Sequence, residues 1–196
     1  MSKELRDRQL AAFCDVLDQV SPDAPTLCEG WDAHDLAVHL WTLKHDPLAW
    51  PAMDVDRLAD FGARRAARVR ARWSYPELVA QLRHGGGGIA CMAGDRFEGH
   101  RHALGEYVVH TEDVARPNRV ERPAPDAPLE DALWRRLRVA AWMLHRRRTP
   151  GLVLEVPDGR SAQVTRGPVR TVVRGAPIEL MLWVYGRTAV ADVVVR

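Results

Sequence analysis

Residues 105–110 read Gly105-Glu106-Tyr107-Val108-Val109-His110, and this short segment carries the strongest chemical signal in the chain. Glu106 and His110 are four residues apart, so in an α-helix their side chains lie on one face, close enough to hold the same ion. Their neighbours are mostly apolar, which is typical of a helix inside a bundle. A carboxylate and an imidazole facing such an interior are costly to bury unless they are paired or bind a metal. The pair therefore predicts a metal site between packed helices.

A third metal ligand has to come from another helix, and His39 is the best candidate. It lies beside an apolar stripe in a helix predicted to run from an N-cap at Asp32 through about Lys44. Two histidines and one carboxylate leave a tetrahedral zinc ion with one open position, as in catalytic zinc sites. Zinc is the first choice, while nickel, iron and manganese also accept these ligands. Taken alone, a Glu–His pair at this spacing is more often a surface hydrogen bond or salt bridge than a metal site.

The spacing of apolar residues divides the rest of the chain into a helical part and a part rich in strands. Helical patterns cover residues 4–19, 32–44, 55–72, 74–83, 101–115 and 129–148, with Pro117 expected to stop the fifth helix and Gly85–Gly88 expected to be a flexible connection. After Pro150 the pattern alternates, which predicts strands at 152–156, 161–166, 169–174 and 190–195 and a short helix at 178–185. The sequence therefore predicts an α+β fold, with a helical bundle at residues 1–148 and a small β-β-β-α-β domain at 149–196.

Three segments resemble the mycothiol-dependent maleylpyruvate isomerase metal-binding domain, a family of DinB-like four-helix bundles. Residues 27–40, with the Cys28-Glu29-Gly30-Trp31-Asp32 run, are similar to its first metal-ligand motif, and residues 106–114 are similar to its second. Residues 177–187 resemble the C-terminal domain that accompanies the bundle. The resemblance implies a four-helix bundle with His39, Glu106 and His110 as metal ligands. It also implies a metal that binds and deprotonates mycothiol, which then attacks an electrophilic substrate. The chain is shorter than expected of the isomerase itself and closer to the family's uncharacterised metal-binding relatives.

Composition excludes several other classes of function. The formal net charge of +2 gives no reason to expect a nucleic-acid partner. No apolar run approaches the roughly 20 residues that span a bilayer, and the first residues lack the apolar stretch of a secretory signal. The three cysteines, Cys14, Cys28 and Cys91, form no CxxC pair and are expected to be reduced thiols. These features predict a cytoplasmic protein.

Several residues near the motifs have two possible roles each. Asp35 and Asp113 can each accept the free N–H of a ligating imidazole, or they can be solvated acids at helix ends. His102 shares the face of Glu106 and is either a fourth ligand or substrate contact, or a residue near solvent. Arg187 is a candidate to clamp a carboxylate substrate, with a plain charge at a helix end slightly favoured.

The remaining side chains near the motifs are assigned structural roles. Cys28 is expected to be a small buried residue, and Trp31 is expected to anchor the core. Five further histidines are expected at the surface: His34, His45, His84, His100 and His145.

Three functions are consistent with these observations. The first is a thiol-dependent metalloenzyme, isomerase-like or S-transferase-like, that uses mycothiol or another low-molecular-weight thiol and a small electrophilic substrate. The second is a metal-stabilised binding or regulatory module without turnover, because no general base beyond the ligands stands out. The third is a carrier for an apolar ligand in the C-terminal domain, where residues 180–184 form a continuous apolar run. Packing of that run onto its own sheet is the favoured explanation.

Overall fold

A computed structural model describes residues 3–48, 59–85, 92 and 95–196 of the chain. Gly86–Gly88 of the predicted glycine connection, Cys91 and the predicted start of the third helix before Ala59 lie outside these residues. Among the helices of the described part, none combines the length and the apolar character needed to cross a membrane.

The described residues form eight helices and four strands. The helices are α1 (Lys3–Leu17), α2 (Ala33–His45), α3 (Ala59–Arg72), α4 (Tyr75–His84), α5 (Asp95–Glu98), α6 (Arg101–Asn118), α7 (Ala127–His145) and α8 (Pro177–Val184). The strands are β1 (Leu152–Glu155), β2 (Ser161–Gln163), β3 (Thr171–Arg174) and β4 (Val194–Val195). The α+β class and the helical N-terminal part predicted from the sequence are confirmed.

The chain divides into two compact units, Met1–Pro123 and Ala124–Arg196. In the first unit α1, α2, α4 and α6 pack against one another as a four-helix bundle. Its core consists mainly of fully buried aliphatic and aromatic side chains, among them Phe13, Leu36, Leu40, Leu78, Leu82 and Tyr107. These positions recur every three to four residues along their helices, which is why each helix has one apolar face to bury.

In the second unit a mixed sheet has the strand order β2-β1-β3-β4. β1 pairs antiparallel with β2 through a turn at Pro157-Asp158-Gly159 and parallel with β3, and β3 pairs antiparallel with β4. Helix α7 packs against α8. Leu180, Met181 and Leu182 of α8 are completely buried, which is the packing role that the sequence favours over a carrier site.

The division between the units falls before α7, whereas the sequence predicts a boundary after residue 148. Periodicity identifies α7 as a helix but does not say which neighbours its apolar face meets. All four strands are also shorter than predicted, most of all β2, which ends at Gln163, and β4, which is confined to Val194–Val195. Strand propensity extends beyond the residues that find a pairing partner.

Pro117 does not stop the fifth predicted helix, since α6 continues through Asn118. Proline lacks the N–H that would bond to the carbonyl four residues earlier, at Asp113. That carbonyl instead accepts a hydrogen bond from the backbone N–H of Leu27, at 3.0 Å. The helix therefore tolerates proline in its last turn because a neighbouring segment uses the acceptor that proline leaves open.

Candidate metal centre

Helix α2 positions His39 and begins with a complete capping box. The Asp32 side chain accepts a hydrogen bond from the Asp35 backbone N–H at 2.7 Å, and the Asp35 carboxylate accepts one from the Asp32 N–H at 3.3 Å. Both carboxylates also pair with Arg70 of α3. These contacts satisfy the first N–H groups of the helix and fix where its first turn starts. Asp35 is therefore an end-of-helix acid, the second of its two predicted roles.

A short loop in front of α2 brings Cys28 and Trp31 to the same end of the bundle. Thr26 organises this loop, because its hydroxyl accepts a hydrogen bond from the Cys28 N–H at 3.1 Å and donates one to the Trp31 carbonyl at 2.8 Å. Gly30 has a φ of +77°, a left-handed conformation that favours glycine. The Leu27–Asp113 hydrogen bond joins the loop to α6.

His39, Glu106 and His110 converge between α2 and α6. One ligand atom from each of the three residues lies within 4.8 Å of the other two. The imidazole rings of His39 and His110 meet edge to face, with centroids 5.2 Å apart, and Nε2 of His110 lies 3.6 Å from a carboxylate oxygen of Glu106. The structure thus brings together the three residues that the sequence proposed as ligands, from two helices more than 60 positions apart in the chain.

Asp113 holds the other side of the His110 ring. Its Oδ2 lies 2.8 Å from Nδ1 of His110, and the Asp113 side chain is completely buried. A carboxylate only accepts hydrogen bonds, so Nδ1 carries a proton and donates it to Asp113. In the neutral ring, Nε2 is then the nitrogen with a free lone pair, on the side where Glu106 and His39 lie. This is the tautomer a metal needs, and the residues present therefore fit a divalent cation.

The charges of the site depend on one another. Burial favours the neutral form of Glu106, but His110, together with His102 and His39, lowers the pKa of this carboxyl to about 2. Burial likewise favours neutral His110, but its contacts with Asp113, Cys28 and Glu106 raise its pKa well above the ordinary value. A cation that binds here has to displace the proton from His110 Nε2, as expected for any imidazole ligand.

Cys28 is closer to the site than the sequence indicates. Its thiol donates to Asp113 Oδ2 at 3.3 Å, and Cys28, His110 and Asp113 form a second group of possible ligands within 4.8 Å of one another. The residue is half-buried rather than buried, so the expectation of a small core residue is wrong. No local pattern predicts this contact, because Cys28 and Asp113 come together only when the loop packs on α6.

Trp31 does not anchor the core, contrary to the sequence prediction. It is 40% exposed, and its ring lies against that of His39, with centroids 5.1 Å apart. The indole ring of Trp31 thus lies beside the candidate ligand His39 and covers one side of it.

His102 lies in the first turn of α6, is half-buried, and acts electrostatically on Glu106. It does not belong to the group of three converging ligand atoms. Of the five histidines expected at the surface, His84 is exposed and His45, His100 and His145 are half-buried. The prediction is wrong for His34, which is 9% exposed and contacts the ring of Tyr75. The apolar face of α2 extends to His34 because Tyr75 of α4 covers that turn.

Arg187 lies in the second unit just after α8. Its guanidinium donates to the carbonyl of Tyr185 at 2.6 Å, and its backbone N–H donates to the carbonyl of Leu182 at 2.8 Å. These are the contacts of a residue that ends a helix. The carboxylate clamp remains a prediction.

Comparison with known proteins gives a match in structure only. No protein-family model matches the chain, and no curated protein matches it in sequence. Among solved structures, the crystal structure of the mycothiol-dependent maleylpyruvate isomerase aligns with a TM-score of 0.57 and 17% identity, over 98% of this chain and 90% of that one. The crystal structure of a histidine-to-alanine mutant of that isomerase aligns over the same shares with a TM-score of 0.59. The chain therefore has the fold that the sequence resemblance predicted.

Proposed function

We propose that this protein is a divalent-metal-dependent enzyme that uses a low-molecular-weight thiol, mycothiol in the first instance, to act on a small electrophile in an isomerase-like or S-transferase-like reaction. The observation that carries the proposal is the convergence of His39, Glu106 and His110 within 4.8 Å. The shared fold with a mycothiol-dependent isomerase supports the choice of thiol. At 17% identity it gives no basis for assigning maleylpyruvate as the substrate.

The three side chains would hold the cation, with zinc the first choice for two imidazoles and one carboxylate. A bound divalent cation would supply Lewis acidity, which lowers the pKa of a coordinated thiol so that a thiolate is available at neutral pH.

The protein's own residues prepare the site for that chemistry. Asp113 fixes the His110 ring and its tautomer, so that Nε2 is the nitrogen available for binding. Glu106, with a pKa of about 2, is a carboxylate over the whole physiological range. Trp31, whose ring lies against that of His39, and His102 are the residues that we propose to contact a bound thiol or substrate.

Elemental analysis of the purified protein tests the metal site first. We expect about one equivalent of divalent metal in the wild type and its loss in His39→Ala. His84→Ala, which removes an exposed imidazole of α4, is the matched control and should keep the metal. Equal metal content in His39→Ala and the wild type would reject the site.

A thiol assay then tests the enzyme. Conjugation or isomerisation of electrophiles by mycothiol should require the metal and disappear on chelation. Bound metal without saturable turnover would instead favour the second hypothesis, a metal-stabilised binding module, for which Glu106→Gln lowers the melting temperature and changes no activity.

A further inference from the structure

The four-helix bundle also contains a cleft that the candidate metal ligands do not line. This cleft has a volume of about 440 Å³ and is lined by residues of α1, α2, α4, α5 and α6. Its volume falls within the roughly 300–1,000 Å³ range of small-molecule sites. It is therefore large enough for a ligand of metabolite size.

The cleft is cationic. The chain contains only two lysines, Lys3 and Lys44, and both line this cleft together with Arg6 and Arg83. Arg83 is neutralised by Asp15 and Asp18, at 2.6 Å each. Arg6 is likewise paired with Asp7, at 2.5 Å, so Lys3 and Lys44 supply the excess of positive charge over the remaining acid, Asp95. Clefts with one sign of charge concentrate ligands of the opposite sign.

Lys44 lines the cleft and is held in place by a backbone contact. Its ammonium donates to the carbonyl of Leu82 at 3.0 Å, which uses one of its three N–H donors. Burial lowers the pKa of Lys44, so the charged ammonium is incompletely solvated. An anion beside it would offset that cost.

Asp95 supplies a second, independent feature. The residue is only 7% exposed, and its Oδ1 accepts a hydrogen bond from the Ala103 N–H in the first turn of α6, at 3.1 Å. Its Oδ2 is buried and has no hydrogen-bond partner among the described residues. The hydrogen bond to the start of α6 accounts for the burial of one oxygen of this carboxylate. The other oxygen is buried at a cost in desolvation, and no hydrogen bond compensates for it.

Tyr107 lies one turn beyond Ala103 on α6 and lines the same cleft. Burial raises the pKa of Tyr107, and the nearby charges of Arg6, Asp95 and Asp7 also act on it. Its hydroxyl therefore stays protonated and can donate to a ligand. The cleft thus combines several cationic donors with one carboxylate acceptor.

We propose that this cleft binds a small organic anion that carries a hydroxyl group near its charge, such as a sugar phosphate. The anionic group would lie against Arg6 and Lys44, and the hydroxyl would donate to Oδ2 of Asp95. A neutral sugar lacks the group that the cations select. Inorganic phosphate lacks the hydroxyl-bearing carbon frame that reaches Asp95.

Calorimetric titration of the full-length protein with glucose 6-phosphate, glucose and inorganic phosphate tests the proposal. We expect saturable binding of glucose 6-phosphate, at least tenfold weaker binding of inorganic phosphate and no binding of glucose. Absence of glucose 6-phosphate binding at millimolar concentration would overturn the proposal. Equal affinity for inorganic phosphate would overturn the role given to Asp95.

Three variants locate the ligand. Asp95→Asn keeps an acceptor for the Ala103 N–H but replaces the second oxygen with a donor, and it should weaken glucose 6-phosphate binding about tenfold or more. Arg6→Gln should do the same, and it covers the case in which Asp95→Asn does not fold. Arg64→Gln removes an equal charge from an exposed position on α3 and should leave the affinity unchanged. Full affinity in Arg6→Gln would place the ligand elsewhere.

The inference is independent of the proposed enzyme. His39→Ala should lose metal and keep glucose 6-phosphate binding, whereas Arg6→Gln should keep metal and lose glucose 6-phosphate binding. Loss of both in either variant would show that the two sites are one, and it would overturn the proposal of a separate cleft.

Discussion

His110 presents its two ring nitrogens to different partners, and this division is the feature of the candidate centre that depends most on a single residue. Nδ1 donates to Asp113, while Nε2 is on the side of Glu106 and His39. Asp113 also accepts from the Cys28 thiol. One buried carboxylate therefore determines which nitrogen of His110 can bind a cation and, at the same time, holds the loop in front of α2.

The predicted effect of Asp113→Asn follows from this arrangement. The amide keeps an acceptor but loses the charge that makes the imidazole a better donor to metal, so we expect metal affinity to fall at least about tenfold with the three ligands intact. Competition with a chelator of known affinity measures the change. Asp35→Asn is the matched control, because Asp35 pairs with Arg70, and its affinity should equal that of the wild type. An unchanged affinity in Asp113→Asn would remove this carboxylate from the site.

At the scale of elements, α6 has two roles, one in its middle and one at its C-terminal end. It carries Glu106 and His110 inward, and its Pro117 leaves the Asp113 carbonyl for the Leu27 N–H of the preceding loop. Asn118 adds to the same connection, since its side-chain amide donates to the carbonyls of Pro25 and Val114, at 2.9 and 2.7 Å. The end of α6 is therefore the support on which the loop with Cys28 and Trp31 rests.

Replacing Pro117 tests this support. In Pro117→Ala a new backbone N–H competes with that of Leu27 for the Asp113 carbonyl, while the helix itself gains propensity. We expect faster hydrogen exchange, by several-fold, at Leu27 and its neighbours, without a loss of global stability. Hydrogen-exchange mass spectrometry on peptides covering residues 25–32 measures it. Pro128→Ala is the control, because Pro128 lies at the start of α7, where the missing N–H has no helical partner in any case. Exchange that stays as slow as in the wild type would show that proline is not needed for this contact.

At the scale of the whole molecule, every candidate metal ligand belongs to the first compact unit, as do the residues of the cationic cleft. The second unit has its own core, in which β1, β3 and α8 bury Leu152, Leu154, Val173 and Leu180. Arg136 of α7 also donates to the Tyr185 hydroxyl at 2.7 Å within this unit. Each unit thus has a hydrophobic core of its own.

Metal binding should consequently stabilise the chain unevenly. A cation at one hundred times its dissociation constant stabilises the state that binds it by about 2.7 kcal/mol, and all three ligands lie on α2 and α6. We expect zinc addition to slow hydrogen exchange in α2 and α6 and to leave β1 and β3 unchanged, as measured by mass spectrometry. In His39→Ala the metal should have no effect on either unit. Equal protection of the sheet of the wild type would contradict this assignment of the site to the first unit alone.

Local chemistry alone determined much of this protein. The spacing of Glu106 and His110, the cap at Asp32 and the change of period after Pro150 are properties of neighbouring residues, and each predicted its element. Helix period and capping act over only a few residues, so they can be read without a partner. The apolar stripe beside His39 singled it out as the third candidate ligand, and resemblance to a known family implied the same three ligands and a four-helix bundle.

Only the tertiary structure decided which residues meet across the chain. The Asp113–His110–Cys28 contacts, the exposure of Trp31, the burial of His34 and the placement of both lysines beside Asp95 depend on which helix faces pack together. The use of the Asp113 carbonyl by Leu27 depends in turn on a loop that docks from a distant part of the sequence. Periodicity says that a helix has a face to bury, but the identity of the covering residues follows from packing, which no local pattern contains.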